Sequence, residues 1–468
     1  MNDLTRSSEK KQFDSIIIGT GQSGKPLALF LAGEGKKVAV IERGDVGGSC
    51  INYGCTPSKT MAASAKAAYM TKRSKEYGIN IRSFKVDLKK IIKRKNEVVK
   101  EFRESGEESL KKNKNVTFIR GSASFINRNT VAANKTDGKN SELSSEIIYI
   151  NTGGRPKIPS IPGLDKINYL DSTSIMELKE VPAHLLVLGG GYIGMEFGQM
   201  FRRFGSKVTI AEHGDQLLKR EDKDIADEIK KIFEEDGIKI LLNKEAAKIE
   251  KKPEGKIKVY FKDEGSITAT HLLIAAGHTP NTEDLNLPAA GIETDSSGYI
   301  KVDEYLRTNV KGIFALGDVK GGPAFTHISY DDFRIIRDNL KSPGSASTAG
   351  RFVPYVVFID PQLGRVGLNE KEAGKLGKKF LTAKMPMSYI ARTIESNATK
   401  GLMKIIIDPG TETILGCSVL GMEGGEILAM IQIAMMGKLK YKSLKDGIFA
   451  HPTLAESLNN IFNKIEAA

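Results

Sequence analysis

Short apolar runs alternate with amphipathic stretches along the 468 residues of the chain. Residues 13–18 form a β-branched run that predicts a buried parallel strand, and the pattern over 27–33 predicts a helix. A second apolar run over 37–41 leads directly to Glu42. This part of the chain therefore predicts one strand–helix–strand unit of an α/β fold.

A second unit of the same kind begins at residue 184. Residues 184–188 predict a strand, 195–204 a helix and 207–210 a further strand, which leads to Glu212. Residues 272–277 read as another strand and turn, which resembles the segment around Thr152-Gly153. The chain thus contains the same α/β pattern twice.

Both units carry a glycine-rich turn between the first strand and the helix, with glycines at Gly19, Gly21 and Gly24 and again at Gly189, Gly191 and Gly194. Glycines at this spacing let the backbone approach a pyrophosphate, whose charge the helix N-terminus stabilises. The acid after the second strand can accept hydrogen bonds from a ribose. The chain is therefore predicted to bind two dinucleotides.

Glu212 bears on the choice between two nicotinamide coenzymes. A carboxylate suits a free ribose hydroxyl and repels a 2′-phosphate, so the sequence favours NADH, with NADPH as the alternative. The neighbouring His213 is read as a surface residue, although it could soften this preference.

The remaining segments predict further domains and linkers. Residues 1–12 suggest a disordered polar arm, 61–112 two lysine-rich helices, and 116–150 short strands with a polar hairpin-like insert near 134–145. Pro156, Pro159 and Pro162 mark an extended linker. From residue 352 the pattern is that of a separate α+β domain without a glycine fingerprint.

Composition and charge exclude several classes of protein. The net charge of +13 comes from scattered lysines without an aromatic-interleaved basic block, so no nucleic-acid partner is expected. No apolar run is long enough to span a membrane, and no signal peptide is evident, so we expect a cytoplasmic protein without a membrane partner. Three cysteines are too few for a structural zinc site, and no metal ligands are assigned.

Two of those cysteines, Cys50 and Cys55, lie in the stretch of residues 47–59. Two thiols at this spacing can close and reopen a disulfide, and a nearby helix N-terminus is expected to lower a thiol pKa. In a reducing compartment such a disulfide is catalytic more often than structural. Cys417 is read as a core residue.

Two further segments carry polar groups. Residues 313–318 predict a strand that ends at Asp318, whose carboxylate could reach a polyol chain. His451 and Glu456 lie five positions apart across a proline turn. An imidazole that is oriented by a carboxylate can act as a general acid or base. Taken alone, an exposed histidine without a catalytic role is the simpler reading of that pair.

Together these segments strongly resemble the flavin-dependent pyridine nucleotide–disulfide oxidoreductases, the family of dihydrolipoamide dehydrogenase, glutathione reductase and mercuric reductase. The resemblance covers about residues 13–462 and is most specific at 47–59, 189–196, 317–318 and 451–456. It implies an α/β fold with two Rossmann-like domains, for FAD and NAD, and a C-terminal α+β dimerisation domain. The implied segments are 1–155 for FAD, 156–280 for NAD(P), 281–345 for a second FAD-binding or central part, and 346–468 for dimerisation.

The resemblance also implies roles for individual residues. Cys55 would be the thiolate facing the flavin, and Cys50 the interchange thiol facing the substrate. Lys59 would lie by the flavin and pair with Glu196. Tyr192 would screen the flavin until nicotinamide arrives. The implied cofactor-binding residues are Gly19, Gly21, Gly24, Glu42, Gly48, Lys59, Thr152, Gly153 and Asp318 for FAD, and Gly189, Gly191, Tyr192, Gly194, Glu212 and Gly277 for the nicotinamide coenzyme.

The implied reaction begins with hydride transfer from NADH to FAD. The electrons then pass to the Cys50–Cys55 disulfide and on to an acceptor. The dyad of His451 and Glu456 would come from the other subunit of a homodimer and would protonate or deprotonate the departing thiol.

The physiological acceptor is the least specified part of the prediction. His451 in place of a tyrosine, and the absence of a C-terminal cysteine pair, argue against true mercuric reductase. Thr56 before Pro57-Ser58-Lys59 departs from lipoamide dehydrogenase and resembles a bacterial mercuric-reductase-like branch that includes a copper(II) reductase. We therefore expect a metal ion, a disulfide or a small oxidant as acceptor. Dihydrolipoamide dehydrogenase and a non-catalytic flavin-binding redox sensor are the alternatives.

Overall fold

The computed structural model describes residues 9–136, 138 and 140–467, and the chain forms two units. The first unit consists of the described residues of Met1–Thr60 together with Ile92–Lys157 and Gly277–Arg351. The second consists of Met61–Ile91, Ile158–Ala276 and the described residues of Phe352–Ala468. The four-segment domain division stays a prediction.

The strands are β1 (Glu9–Gln12), β2 (Ser15–Ile18), β3 (Val38–Glu42), β4 (Val116–Asn127), β5 (Thr130–Lys135), β6 (Asn140–Ser144), β7 (Ile148–Ile150), β8 (Gly154–Pro156), β9 (His184–Leu188), β10 (Lys207–Ala211), β11 (Lys239–Leu241), β12 (Ala246–Lys251), β13 (Ile257–Phe261), β14 (Ser266–Ala269), β15 (His271–Ile274), β16 (His278–Pro280), β17 (Ile313–Ala315), β18 (Tyr355–Val357), β19 (Gln362–Gly367), β20 (Leu381–Pro386), β21 (Leu402–Ile407), β22 (Ile414–Gly421) and β23 (Ile465–Ala467). The helices are α1 (Gly24–Gly33), α2 (Gly48–Asn52), α3 (Cys55–Lys72), α4 (Leu88–Lys111), α5 (Tyr192–Phe204), α6 (Lys223–Glu235), α7 (Thr326–Lys341), α8 (Glu370–Lys375), α9 (Ala391–Glu395), α10 (Gly424–Met436), α11 (Tyr441–Lys445) and α12 (Ser457–Ile461). Short 3₁₀ helices include Gly317–Lys320, which follows β17.

The first unit is built on a sheet with the strand order β1-β6-β5-β4-β3-β2-β7-β17. Strands β4, β3, β2, β7 and β17, which are neighbours in this order, run parallel to one another. Strands β5 and β6 extend the sheet beyond β4 as an antiparallel hairpin. Successive side chains of β2 enter opposite cores: Ile17 packs with Leu27 of α1, whereas Ile16 and Ile18 pack on the other face. The three isoleucines of β2 are therefore buried on both faces of the sheet, as the sequence pattern predicted.

The N-terminal arm is a partial correction. Residues 9–12 were predicted to be disordered, but they form β1, which pairs in parallel with β6. The polar hairpin predicted near 134–145 corresponds to β5 and β6. The backbone N–H and C=O groups at the free edge of β6 pair with those of β1. Residues 1–8 of the predicted arm lie outside the described residues.

Around the cysteines, the helices begin earlier than predicted. The sequence placed the first lysine-rich helix from residue 61, but α3 begins at Cys55. Cys50 lies on the separate short helix α2, and residues 53–54 join the two. The two cysteines therefore occupy successive helices.

The second unit contains the repeated nucleotide-binding pattern. Its parallel sheet has the order β11-β10-β9-β15, and an antiparallel sheet of β12, β13 and β14 accompanies it. The remaining antiparallel sheet, in the order β18-β19-β22-β21-β20-β23, carries the C-terminal α+β pattern predicted from residue 352. Helix α10 packs against it through buried residues such as Ile427 and Ile431.

Candidate functional site

The first glycine turn joins β2 to α1, where the carboxyl ends of parallel strands present a binding crevice. Gly19 has a φ of +103°, and a Cβ atom there would lie 2.3 Å from the carbonyl oxygen of Asn151. A Cβ at Gly24 would lie 2.1 Å from the carbonyl oxygen of Gly19. Only glycine fits at these two positions, so the turn stays open to a pyrophosphate.

Asn151 holds this turn in place from the end of β7. Its Oδ1 accepts a hydrogen bond of 2.9 Å from Gly24 N, and its Nδ2 donates one of 2.8 Å to Leu316 O. The adjacent Thr152 and Gly153 are joined to Asn281 by hydrogen bonds, including one of 2.8 Å from Thr152 Oγ1 to Asn281 O. The two turns that were predicted to contact FAD are thus connected within the first unit.

Glu42 ends β3 and orders the same turn. Its Oε2 accepts hydrogen bonds from Thr20 N at 2.8 Å and from Thr20 Oγ1 at 2.6 Å, while Oε1 accepts one from Gly44 N at 2.9 Å. Gly48, at the start of α2, approaches Gly21 so closely that a Cβ on Gly48 would lie 2.8 Å from Gly21 Cα. The cysteine segment therefore begins directly on the first glycine turn.

The two cysteines lie on either side of the break between α2 and α3. Cys50 is half-buried and Cys55 is exposed. A hydrogen bond to Cys55 raises the pKa of the Cys50 thiol, and burial of Cys50 adds to the rise. The expectation that a helix N-terminus lowers the thiol pKa is wrong for Cys50, because its hydrogen bond to Cys55 and its burial raise that pKa instead.

Thr326 contacts the cysteine pair from the first residue of α7. Its Oγ1 lies 3.4 Å from Cys55 Sγ, and its hydroxyl also opposes the rise in the pKa of Cys50. The hydroxyl can donate a hydrogen bond to a thiolate, which favours the charged form of the sulfur. Thr326 therefore places a hydroxyl group against the pair.

Asp318 lies on the 3₁₀ helix that follows β17, so the strand predicted over 313–318 ends earlier, at Ala315. Burial raises the pKa of its carboxyl, and His278 and Lys320 oppose that rise. Among the described residues, none donates a hydrogen bond to the Asp318 carboxylate. A half-buried carboxylate with free acceptor positions, in the same unit as the glycine turn, fits the hydroxyls of a polyol chain.

The second glycine turn repeats the geometry of the first. Gly189 has a φ of +115°, and a Cβ there would lie 2.4 Å from the carbonyl oxygen of Ala275. A Cβ at Gly194 would meet Gly189 O at 2.1 Å, whereas one at Gly191 would meet nothing within 4 Å. Gly277, with a φ of +109°, follows the neighbouring strand β15. The open space at Gly191 leaves room for a bound group.

Glu212 closes this second turn at the end of β10. Its Oε2 accepts a hydrogen bond of 2.5 Å from Gly190 N, and its Oε1 accepts one of 2.8 Å from Gly214 N. His213 Nδ1 lies 2.9 Å from the same Oε1. The predicted surface histidine is exposed, and it also contacts the carboxylate of Glu212.

Glu196 lies on α5 and is 8% exposed. Its Oε1 accepts a hydrogen bond of 2.9 Å from Phe358 N. Lys59 lies one helical turn beyond Cys55 on α3, and Tyr192 is the first residue of α5. The pairing of Lys59 with Glu196 and the screening role of Tyr192 stay predictions.

His451 and Glu456 are brought together as the sequence suggested. Nδ1 of His451 lies 2.8 Å from Oε2 of Glu456. The histidine side chain is 71% exposed, whereas that of Glu456 is only 13% exposed. A shielded carboxylate thus orients an imidazole whose other nitrogen is available to a reacting group.

Family models account for most of this architecture. The model for pyridine nucleotide-disulphide oxidoreductases matches residues 13–332, and the model for the dimerisation domain of the same proteins matches 353–461. The chain belongs to the pyridine nucleotide-disulphide oxidoreductases. This oxidoreductase is accordingly an enzyme of the flavoprotein disulfide reductase type that binds FAD and NAD(P)H, and it carries the family's dimerisation domain.

Individual proteins similar to the oxidoreductase include a probable pyridine nucleotide-disulfide oxidoreductase, mercuric reductases and dihydrolipoyl dehydrogenases. It is 40% identical, over 97% of its length and 100% of the relative, to a protein named "Probable pyridine nucleotide-disulfide oxidoreductase RclA" from Escherichia coli K12. It is 34% identical to a mercuric reductase of Lysinibacillus sphaericus, covering 95% of this chain and 81% of the relative. A dihydrolipoyl dehydrogenase of Geobacillus stearothermophilus is 33% identical, and the match covers 95% of this chain and 94% of the relative.

Solved structures agree with the sequence relatives. A Cu(II) complex of the HOCl-induced flavoprotein disulfide reductase RclA from Escherichia coli matches with a TM-score of 0.89 at 40% identity. The match covers 97% of this chain and 99% of that one. The α/β fold with FAD-binding and dimerisation domains is therefore confirmed for this oxidoreductase.

Sequence reasoning missed Thr326 and Asn151. Thr326 begins an amphipathic helix three residues after the sequence Gly-Gly-Pro, and a hydroxyl residue at a helix start is a recognisable signal. Asn151 is a polar residue at the end of a buried strand, directly before the predicted Thr152-Gly153 turn. Neither signal says which distant residue the side chain will contact.

The described residues contain neither a cluster of metal-ligating side chains nor a membrane-spanning helix. Within the described residues, no group of three or more His, Cys, Asp or Glu side chains is arranged to hold a metal ion. The helices in the described part of the oxidoreductase are all too short or too polar to cross a membrane.

Proposed function

We propose that this chain is an NADH-dependent FAD oxidoreductase that passes electrons through Cys50 and Cys55 to a metal ion, a disulfide or a small oxidant. The observation that carries this proposal is the hydrogen-bonded thiol pair on α2 and α3, with Thr326 against it. FAD, when bound, supplies two-electron transfer between the nicotinamide and the sulfurs. The chain's own residues then control binding, orientation and protons.

The residues of the first unit fit FAD. The turn at Gly19 and Gly24 leaves room for a pyrophosphate, Glu42 lies where a ribose would bind, and Asp318 offers acceptors to ribityl hydroxyls. In the second unit, Glu212 supports NADH over NADPH, because its carboxylate would repel a 2′-phosphate.

Oxidation of the Cys50 and Cys55 thiols to a disulfide releases two electrons, which the acceptor takes up. With a disulfide acceptor, the Cys50 thiolate attacks one sulfur and releases the first thiol, and Cys55 then displaces the second thiol and re-forms the Cys50–Cys55 bond. With copper(II), the same oxidation of the pair would reduce two ions by one electron each. The raised pKa of Cys50 means that it needs a base before it attacks.

His451 is proposed as that base, supplied by the second subunit of a homodimer. Glu456 holds its Nδ1, so the other ring nitrogen can take the proton from Cys50 and later give it to the leaving thiol. The dimerisation domain supports this assignment. A cytoplasmic location, where NADH is available, is part of the proposal.

Dihydrolipoamide dehydrogenase is the second candidate, favoured by the His451–Glu456 pair and by the 33% identity to a dihydrolipoyl dehydrogenase. NAD⁺ reduction by dihydrolipoamide separates the two. Turnover on the order of 10² per second would establish the second candidate. We expect negligible turnover in that assay, and NADH oxidation that depends on copper(II), mercury(II) or an oxidised thiol.

The same preparation tests whether the chain is an enzyme at all. Anaerobic NADH is expected to bleach the flavin and to produce a long-wavelength thiolate–flavin absorption. A flavin that never bleaches would favour a non-catalytic redox sensor instead.

A further inference from the structure

Helix α7 contacts both turns that are predicted to bind FAD. Near its start, Ser329 Oγ lies 2.7 Å from Ser23 Oγ, and the Ser23 hydroxyl also donates a hydrogen bond of 2.5 Å to Ser329 O. Ser23 belongs to the first glycine turn, directly before α1. One helical turn further on, Asp332 Oδ2 accepts a hydrogen bond of 2.8 Å from Gly317 N, next to Asp318. One helix therefore anchors both the glycine turn and the Asp318 segment.

Gly317 fits closely between α7 and the end of strand β7. Its φ is +71°, and a Cβ there would lie 2.7 Å from Ser329 Oγ and 2.9 Å from Asn151 Nδ2. Asn151 also accepts the hydrogen bond from Gly24 N. Gly317 is therefore confined by side chains on two sides, and its position depends on how closely α7 approaches.

Asp332 is a buried charge whose two oxygens are both occupied. The residue is 0% exposed. Its Oδ1 accepts a hydrogen bond of 2.7 Å from Arg351 Nη1, and its Oδ2 lies 3.2 Å from Lys320 Nζ. The Lys320 and Arg351 side chains are 6% and 15% exposed. Since burying an unpaired charge is costly, these contacts fix the carboxylate, and its complete burial keeps it from contacting a ligand itself.

Lys320 connects Asp332 to Asp318 electrostatically. Burial raises the pKa of the Asp318 carboxyl, and the charges of His278 and Lys320 oppose that rise. Lys320 and Asp318 lie on the same 3₁₀ helix, Gly317–Lys320. The ammonium that contacts Asp332 thus also favours the charged form of Asp318, and a charged carboxylate is the stronger acceptor for a hydroxyl.

We propose that Asp332 is a positioning residue for the ribityl chain of FAD. It holds Gly317 through the backbone and Lys320 through charge, and so it fixes the place and the charge of the Asp318 carboxylate. The contacts of Ser329 give separate support to the first glycine turn, where the pyrophosphate is expected. The inference rests on the proposed contact between Asp318 and the ribityl hydroxyls.

Two ligands distinguish these two supports. ADP is expected to occupy only the part of the site that holds adenosine and pyrophosphate, whereas FAD also needs the ribityl contact. Both are titrated by calorimetry into the full-length apoprotein of the wild type and of Asp332→Asn, Ser23→Ala and the matched control Asp331→Asn. Asp331 Oδ2 lies 3.3 Å from the same Arg351 guanidinium, but its side chain is 34% exposed. The measured quantity is the ratio of the two dissociation constants.

Asp332→Asn is expected to weaken FAD binding at least about tenfold and to change ADP binding by less than about twofold, because the loss is confined to the Asp318 segment. Ser23→Ala should weaken both ligands by similar factors and leave the ratio unchanged. Asp331→Asn should bind both ligands like the wild type. The rate at which the holoenzyme releases flavin, followed by flavin fluorescence, should rise for Asp332→Asn and stay unchanged for Asp331→Asn.

If Asp332→Asn does not fold, because it leaves Lys320 without its buried counter-ion, the double variant Asp332→Asn/Lys320→Met removes both charges and should show the same selective loss of FAD affinity. Wild-type FAD affinity in these variants, or equal losses for FAD and ADP, would overturn the role of Asp332 and leave the proposed reaction standing. If Asp318→Asn itself binds FAD like the wild type, the ribityl contact at Asp318 is wrong, and the inference falls with that part of the proposed function.

Discussion

Thr326 Oγ1 lies 3.4 Å from Cys55 Sγ, so a hydroxyl at the first turn of α7 contacts a thiol at the first turn of α3. The two residues are 271 positions apart in the chain. A donor at this place stabilises a thiolate without adding a charge to the site. The reactivity of the cysteine pair is thus set partly by a residue outside the cysteine segment.

Replacement of Thr326 tests that relationship. Thr326→Val keeps the shape of the side chain but removes the hydroxyl, so the thiolate loses its hydrogen bond and the apparent pKa of the pair should rise. We expect alkylation of the reduced pair by iodoacetamide at pH 7 to slow about fivefold to tenfold. Thr326→Ser, which restores the donor, should recover most of the rate. Equal rates in Val and Ser variants would show that the hydroxyl has no such role.

The Gly19 turn should tolerate no side chain. Gly19→Ala places a Cβ 2.3 Å from Asn151 O on a backbone with a φ of +103°, so the turn must shift and FAD affinity should fall at least about tenfold. Flavin content after purification and FAD titration of the apoprotein measure this. Gly33→Ala, at the exposed end of α1 with nothing within 4 Å, is the matched control and should retain normal flavin content.

The thiol pair is expected to act after flavin reduction. Cys50→Ser should abolish disulfide-dependent NADH oxidation and leave anaerobic reduction of the flavin by NADH largely intact, which stopped-flow absorbance can follow. Cys417→Ala removes the buried third cysteine and should retain turnover. Full turnover by Cys50→Ser with the physiological acceptor would contradict the relay.

The dyad should act in the acceptor step alone. Glu456→Gln leaves the imidazole without the carboxylate 2.8 Å from its Nδ1, and His451→Gln removes the acid–base group itself. Since a positioned acid or base contributes about 10²–10⁴-fold, we expect at least a tenfold loss of acceptor turnover for Glu456→Gln and a larger loss for His451→Gln. The rate of flavin reduction by NADH is the internal control, and a parallel loss in that rate would argue against the assignment.

A buried carboxyl in the second unit should make stability depend on pH. Glu221 is 2% exposed, its Oε2 has no hydrogen-bond partner among the described residues, and burial raises its pKa. The folded protein therefore holds this proton more tightly than the unfolded chain. The corresponding stability is present below the ordinary carboxyl pKa and is lost as the pH rises towards the raised value.

Glu221→Gln removes that titration. The melting temperature of the variant, relative to the wild type, should increase from pH 4.5 to pH 8. Glu372→Gln is the control, because Glu372 contacts the same Arg365 guanidinium but is 44% exposed, and its loss should destabilise the protein at neutral pH. A difference between Glu221→Gln and wild type that is constant across this pH range would contradict the interpretation.

Local sequence patterns predicted much of the fold. The second strand of the second unit and its helix, β10 and α5, begin within three residues of the predicted positions, and β9 matches at both ends. Periodicity and glycine spacing are local properties, so they locate such elements well. The arm at residues 9–12 was misjudged, because a polar strand is stabilised by its pairing with β6 and carries no apolar signature of its own.

The sequence by itself determined the chemistry that is available: two glycine turns followed by acids, a cysteine pair, and a histidine with a nearby glutamate. These depend on residue type and short spacing. Only the tertiary structure decided that Thr326 contacts Cys55, that Asn151 holds the first glycine turn, and that the pKa of the Cys50 thiol is raised. Such contacts arise when distant segments pack together, and burial and hydrogen bonding in the packed state set the pKa of each group.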